Sequence, residues 1–90
     1  MGDGTGRSIT GTATATAEAG DGFLLSAGLT AGADAATITI KTGGSGGTVI
    51  CKLGAGIGLS ASRTLVKGVP FTTLHVTVTG TTPVWEVEVG

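Results

Sequence analysis

Short runs in which threonine alternates with an apolar β-branched residue, each closed off by glycine, set the terms for this chain. Thr37-Ile38-Thr39-Ile40 and Val76-Thr77-Val78-Thr79 are the clearest. Alternation with a period of two puts one residue type on each face of a strand, so these runs specify half-buried sheet rather than amphipathic helix. Eighteen of the 90 residues are glycine and seventeen are threonine, against two prolines. That is the make-up of an all-β domain with tight turns.

Ninety residues make one domain. A chain this short buries only about 60–65% of its unfolded surface. Core candidates are few: Ile9, Phe23, Leu24, Leu25, Ile38, Ile40, Val49, Leu53, Leu65, Phe71, Leu74, Val76, Val78, Trp85, Val87 and Val89. A core this thin, with no disulfide, is commonly reinforced by oligomerisation. Net charge is −1 and only 12% of residues are charged, which suits a surface packed against neighbours. Arg7, Lys41, Lys52, Arg63 and Lys67 are scattered singly, so no nucleic-acid partner is expected.

Cys51 is the only cysteine, which excludes an internal disulfide and a multi-cysteine zinc site. No apolar run reaches the roughly 18 residues of a membrane-spanning helix, and no membrane partner is expected. Met1-Gly2-Asp3-Gly4-Thr5-Gly6 has neither the basic and apolar regions of a signal peptide nor the Ser or Thr at position 6 of a myristoylation pattern. Synthesis in the cytoplasm, followed by assembly or release, is the expectation.

Along the chain, residues 1–11 are expected to be a flexible N-terminal arm and residues 12–90 a β-sandwich domain. Ile9 to Glu18 alternates threonine and alanine and reads as an edge or subunit-facing strand. Asp21-Gly22 is a turn and Phe23 to Leu29 a strand. Ala36 to Lys41 is the plainest strand, with Ala36, Ile38 and Ile40 on one face. The glycine-rich loop 43–47 makes a hairpin of it with Thr48 to Leu53, whose Val49, Cys51 and Leu53 share a face. Leu59 to Val66 is a further strand, and Lys67-Gly68-Val69-Pro70 a bend. Phe71 to Thr79 and Val84 to Val89 read as a final hairpin around 80–83. Its expected register sets Val76 opposite Val87, Thr77 opposite Glu86 and His75 opposite Glu88, since a one-residue slip would bury both glutamates. About seven antiparallel strands result, the pattern of a jelly-roll-like or immunoglobulin-like sandwich.

No catalytic, cofactor-binding or metal-ligating residue is assigned. His75, the lone histidine, has a general-base or ligand reading, but its place beside Thr73 and Thr77 favours an outward-facing structural role. Cys51 alternates with Val49 and Leu53 and reads as a buried inert thiol rather than a nucleophile. The Gly54–Gly58 and Gly43–Gly47 segments lack phosphate-loop spacing and a following helix, so turn chemistry accounts for them. Asp3, Asp21 and Asp34 are too far apart for a calcium loop motif and fit turn roles better. Trp85 is a core anchor or an interface hot spot, the core being favoured by its alternation with Val87 and Val89. Threonines at 12, 14, 16, 37, 39, 77 and 79 make flat uncharged surfaces. They lack the strict repeat of an ice-binding ladder and suit packing against a neighbouring subunit.

Five blocks carry a resemblance: Phe23-Leu-Leu-Ser-Ala-Gly, Asp34-Ala-Ala-Thr-Ile-Thr-Ile, Gly47-Thr-Val-Ile-Cys-Lys-Leu, Gly68-Val-Pro-Phe and Leu74-His-Val-Thr-Val-Thr-Gly-Thr. In order and spacing, over residues 20–90, the chain resembles small virion proteins of tailed bacteriophages. It departs from them after Ile40, where many such chains carry a Tyr-Asp pair and this one has Lys41-Thr42. The resemblance implies a structural protein of the particle: a capsid decoration (cement) protein on the outer capsid surface of the virion. Its implied partners are the major capsid protein and further copies of itself, a trimer being favoured, with no small-molecule substrate, no cofactor and no enzymatic activity. The segment 1–11 would reach a neighbouring subunit and add a strand to a sheet edge. The alternative is a tail- or head-fibre module binding a receptor or glycan. The absence of Tyr, Asn and Gln, with a single Trp, argues against glycan recognition, which uses exposed aromatics and convergent polar groups.

Overall fold

The computed structural model describes residues 7–90. Eight strands follow one another: β1 (Arg7–Gly11), β2 (Ala15–Glu18), β3 (Gly22–Thr30), β4 (Ala36–Thr42), β5 (Thr48–Ala55), β6 (Ser60–Phe71), β7 (Leu74–Thr79) and β8 (Val84–Val89). They form two four-stranded sheets, ordered β1-β8-β3-β6 and β2-β7-β4-β5. Every pairing is antiparallel. The pairs β1–β8, β2–β7, β3–β6 and β4–β5 are nested like the two arms of one long hairpin. Rolling that hairpin up places β3 on β8 and β4 on β7, which is jelly-roll rather than immunoglobulin topology.

The alternation read from the sequence sets the buried faces. Ala36, Ile38 and Ile40 point inward, as do Leu74 and Val76, and Trp85, Val87 and Val89. Leu24, Ala27, Leu29, Ala31, Cys51 and Phe71 complete the core. Full burial of each large apolar side chain stabilises the fold by about 1.5–3 kcal/mol. Among the described residues no polar or charged side chain is buried.

Several expectations are corrected. Ile9 to Glu18 is not one strand: β1 ends at Gly11 and β2 begins at Ala15 in the other sheet. β1 ends on Gly11, which pairs with Trp85 and must lack a side chain because a Cβ there would collide with the Trp85 ring. Both pieces are edge strands, as expected of a Thr/Ala segment that buries little. In the flexible arm expected over 1–11, Arg7–Gly11 pairs along its whole length with β8. Residues 1–6 lie outside the described residues.

The final hairpin is also corrected. β7 and β8 belong to opposite sheets, so Val76 lies beside Ile40 and Ala15, and Val87 beside Ala27 and Ile9. His75 stands between Thr16 and Lys41, not opposite Glu88, and Thr77 stands opposite Thr39, not Glu86. Both strands still bury the predicted faces, but across the core from each other.

Two bulges shift the remaining faces. At Leu25, successive rungs of β8 join Leu24 and Ser26, which lets Leu24 and Ala27 both point inward. Against β6 the same residue stands beside a four-residue excursion, 65–68, where Gly68 has φ +73°. The expected strand Leu59 to Val66 and its bend are therefore one strand, β6, with a bulge. In β5 the ladder passes from Ile40–Cys51 to Lys41–Val49, skipping Ile50. That bulge turns Val49 out to solvent instead of placing it with Cys51 and Leu53. Phe23, expected in the core, is 41% exposed because Leu24 takes the inward position.

Candidate functional site

The sandwich offers four surfaces of different chemistry. The outer face of the β1-β8-β3-β6 sheet carries Ser8 and Thr10, Glu86 and Glu88, Ser26, Gly28 and Thr30, and Ser60, Ser62 and Thr64, as the registers require. The Ser26 hydroxyl donates to Glu88 Oε1 at 3.5 Å. A shallow hollow of about 330 Å³ opens over Gly28, bounded by Thr10, Thr30, Ser60, Ser62 and Glu86. Both ionisable groups at the paired positions of this face are carboxylates.

The outer face of the β2-β7-β4-β5 sheet has the opposite character. Thr37, Thr39 and Lys41 lie beside Thr79, Thr77 and His75 on one flank, and beside Gly54, Lys52 and Val49 on the other. Thr16 extends the row past His75. The Thr37 and Thr79 hydroxyls bond each other at 2.6 Å, and Lys41 Nζ donates to the Ser45 carbonyl at 3.0 Å. The threonines singled out at 16, 37, 39, 77 and 79 thus come together on one face. Thr14 instead bonds the Val78 backbone.

The two narrow sides differ as well. On the β1–β2 side an Arg7–Glu18 ion pair joins the sheets. On the β5–β6 side large apolar residues stand in solvent: Ile57 at 66%, Leu59 at 63% and Val66 at 93% exposure. Phe23 adjoins this side, stacked in register with Pro70 of β6, and a hollow of about 360 Å³ lies between Phe23, Pro70, Phe71 and Thr42. Lys67 and Pro70 sit on the exposed β6 edge, where a charge, a proline and a bulge all oppose strand-to-strand aggregation.

The residues weighed singly stay apart. Cys51 is buried, and burial pushes its thiol above the usual range against a smaller opposing pull from Arg63. That is the environment of an inert thiol. His75 is half-buried between Thr16 and Lys41. Trp85 is in the core, its indole Nε1 donating to the Ala13 carbonyl at 2.9 Å. Asp34 accepts from the Thr81 hydroxyl at the end of the sandwich opposite Asp21. Asp3 lies outside the described residues. Among the described residues no three His, Cys, Asp or Glu side chains are placed to share a metal ion. The 43–47 loop is tied down by the Gly43 and Gly44 amides, which donate to the Thr73 carbonyl. Gly54–Gly58 leads into the β5–β6 turn, closed by the Leu59 amide on the Gly56 carbonyl.

Sequence reasoning missed the apolar β5–β6 side. Its one local signal is Leu65-Val66, two adjacent apolar residues that a single strand cannot both bury. The opposite charge of the two broad faces had no local signal, since it depends on strand order. No protein-family model, curated protein or solved structure matches this chain.

Proposed function

We propose that this protein is a structural component of a bacteriophage virion that decorates the outer surface of the major-capsid-protein shell and stabilises it. The observation that carries the reading is the β5–β6 side. Ile57, Leu59 and Val66 are each well over half exposed. A surface of this kind is stabilised by being covered. The block resemblance to virion proteins supports a shell as the covering partner.

The mechanism is binding without bond chemistry. Docking the β5–β6 side across a junction between shell subunits adds contact that exists only in the assembled particle. Whatever binds the assembled state and not the separated one raises its stability by mass action. About 800 Å² per partner makes a standard interface, and many copies on one particle multiply the effect.

Co-sedimentation of purified protein with shells stripped of it, followed by heating, tests the proposal. Saturable binding and a higher shell disruption temperature are expected. V66D and L59D should bind at least about tenfold more weakly, as expected when a charge enters an apolar contact. Absence of binding to shells would overturn the reading and favour the fibre alternative.

A further inference from the structure

We propose that copies of this protein associate head to tail, the acidic outer face of the β1-β8-β3-β6 sheet of one copy docking on the basic outer face of the β2-β7-β4-β5 sheet of the next. At the paired positions of the described residues, the ionisable groups of the first face are Glu86 and Glu88, and those of the second are Lys41, Lys52 and His75. The charges match in spacing as well as in sign. Glu86 and Glu88 are two residues apart on β8, about 7 Å. Lys41 and Lys52 are diagonal neighbours on paired strands, about 7–8 Å apart. Among the described residues the one ion pair within the chain is Arg7–Glu18, so none of the four is neutralised within the chain, although Lys41 donates to the Ser45 carbonyl and Glu88 accepts from Ser26.

Shape and area bound the contact. The molecule measures 36 × 25 × 16 Å, so the rectangle bounding its broad face is about 900 Å². Only a contact covering nearly the whole face would reach the roughly 800 Å² per partner of a standard interface. Serine, threonine and glycine predominate on both faces, with Val84 and Phe23 exposed on the first and Val49 on the second, so close approach of the sheets would also cover apolar side chains. The hollow over Gly28 is bordered by Glu86, by the hydroxyls of Thr10, Thr30, Ser60 and Ser62, and by exposed Val84; it would receive the Lys52 side chain of the second copy, the stem against Val84 and the ammonium toward Glu86. A lysine has three N–H donors, and this site supplies a carboxylate and several hydroxyl acceptors.

The two faces lie on opposite sides of one sandwich, so the contact is heterologous. It grows as a stack rather than closing as the trimer expected from the sequence. It leaves the apolar β5–β6 side uncovered, and it stands or falls independently of shell binding.

Sedimentation velocity of the intact chain over a concentration series provides the test. At about 20 mM salt the wild type should sediment faster as concentration rises, and at about 0.5 M salt, where the screening length is short, it should return to monomer. E86K/E88K and K41E/K52E should each stay monomeric, because each presents two faces of like charge. An equimolar mixture of the two should assemble again. D21K/D34K carries the same net charge as E86K/E88K but leaves both faces unchanged, and should assemble like the wild type. Gly28→Val changes no charge, and a Cβ at position 28 meets only the Ala61 carbonyl at 3.9 Å. It should fold normally while weakening assembly by about tenfold or more through loss of the hollow. A wild type that is monomeric at low salt throughout the series would overturn the proposal. So would assembly unaffected by either face reversal, failure of the mixture to assemble, or assembly abolished by V66D and not by the reversals.

Discussion

The indole Nε1 of Trp85 donates a 2.9 Å hydrogen bond to the carbonyl of Ala13, and this bond latches the crossing between the two sheets. Trp85 belongs to β8, deep in one sheet; Ala13 lies between β1 and β2, where the chain leaves that sheet for the other. The largest apolar side chain of the core thus also satisfies the carbonyl of an irregular segment.

Replacing Trp85 with phenylalanine removes ring volume and leaves the Ala13 carbonyl without its partner. The expected cost is about 2–4 kcal/mol, the sum of a cavity and a lost hydrogen bond. Gly11→Ala attacks the same latch from the other side, since its Cβ would fall 2.4 Å from the Trp85 ring. Overpacking of that kind costs about 1–3 kcal/mol. Urea denaturation followed by far-ultraviolet circular dichroism measures both variants.

The connection between β7 and β8 rests on Gly80, whose φ is +112°. A Cβ at Gly80 would approach the Ala35 carbonyl oxygen at 2.9 Å, so backbone strain and a clash act together. Gly44 also has positive φ, +94°, but an added Cβ there would meet nothing within 4 Å. Gly44→Ala therefore measures strain alone, about 1 kcal/mol, and Gly80→Ala should cost about 1–3 kcal/mol more. Equal midpoints for the two variants in thermal melts would refute the contribution of the clash.

How far these features were legible beforehand depends on whether they are local. Which residues of β4, β7 and β8 face inward followed from alternation alone, because the pleat makes that choice within each strand. The partner of each strand did not follow. Gly80-Thr81-Thr82-Pro83 has the length and residues of a hairpin turn, yet the same four residues span two sheets packed about 10 Å apart. The choice is made by pairing distant in sequence, which seats β7 between β2 and β4 and β8 between β1 and β3. Single-residue bulges are equally silent in composition. Ile50 slips out of the ladder and Val49 turns to solvent, and Leu25 does the same for the phase of β3. The two charged faces follow from that topology: Glu86 and Glu88 adjoin each other by sequence, whereas Lys41 and Lys52 meet only when β4 pairs with β5.

Cys51 offers a test by chemistry. Its thiol is buried and pushed above its usual pKa by that burial, so the reactive thiolate is scarce in the folded protein. Iodoacetamide at mildly alkaline pH should modify native protein far more slowly than urea-unfolded protein, with mass spectrometry as the readout. The sign of the linkage is also set. The neutral thiol is favoured by folding, so its contribution to stability is whole below the unfolded thiol's pKa of about 8.5 and is lost as pH rises from there through the raised pKa of the folded protein. Cys51→Ser places a hydroxyl in the same apolar site and should cost about 1–3 kcal/mol. Labelling at equal rates in both states would contradict the buried position.

Val66 should separate folding from binding. It stands 93% exposed at the crest of the 65–68 excursion of β6 and contributes almost nothing to the core. Val66→Asp is expected to shift unfolding free energy by no more than about 0.5 kcal/mol, as surface substitutions do. Leu65, its neighbour, is half-buried and packs against the core. Leu65→Asp puts a carboxylate against that apolar surface and should cost several times more. Solubility and shell binding should move the other way: Val66→Asp lowers both self-aggregation and attachment to shells while the thermal midpoint holds. Paired measurements of melting and shell co-sedimentation on these two variants decide the matter. If Val66→Asp melted as early as Leu65→Asp, the β6 crest would be part of the folding core and the β5–β6 side would lose its claim as a binding surface.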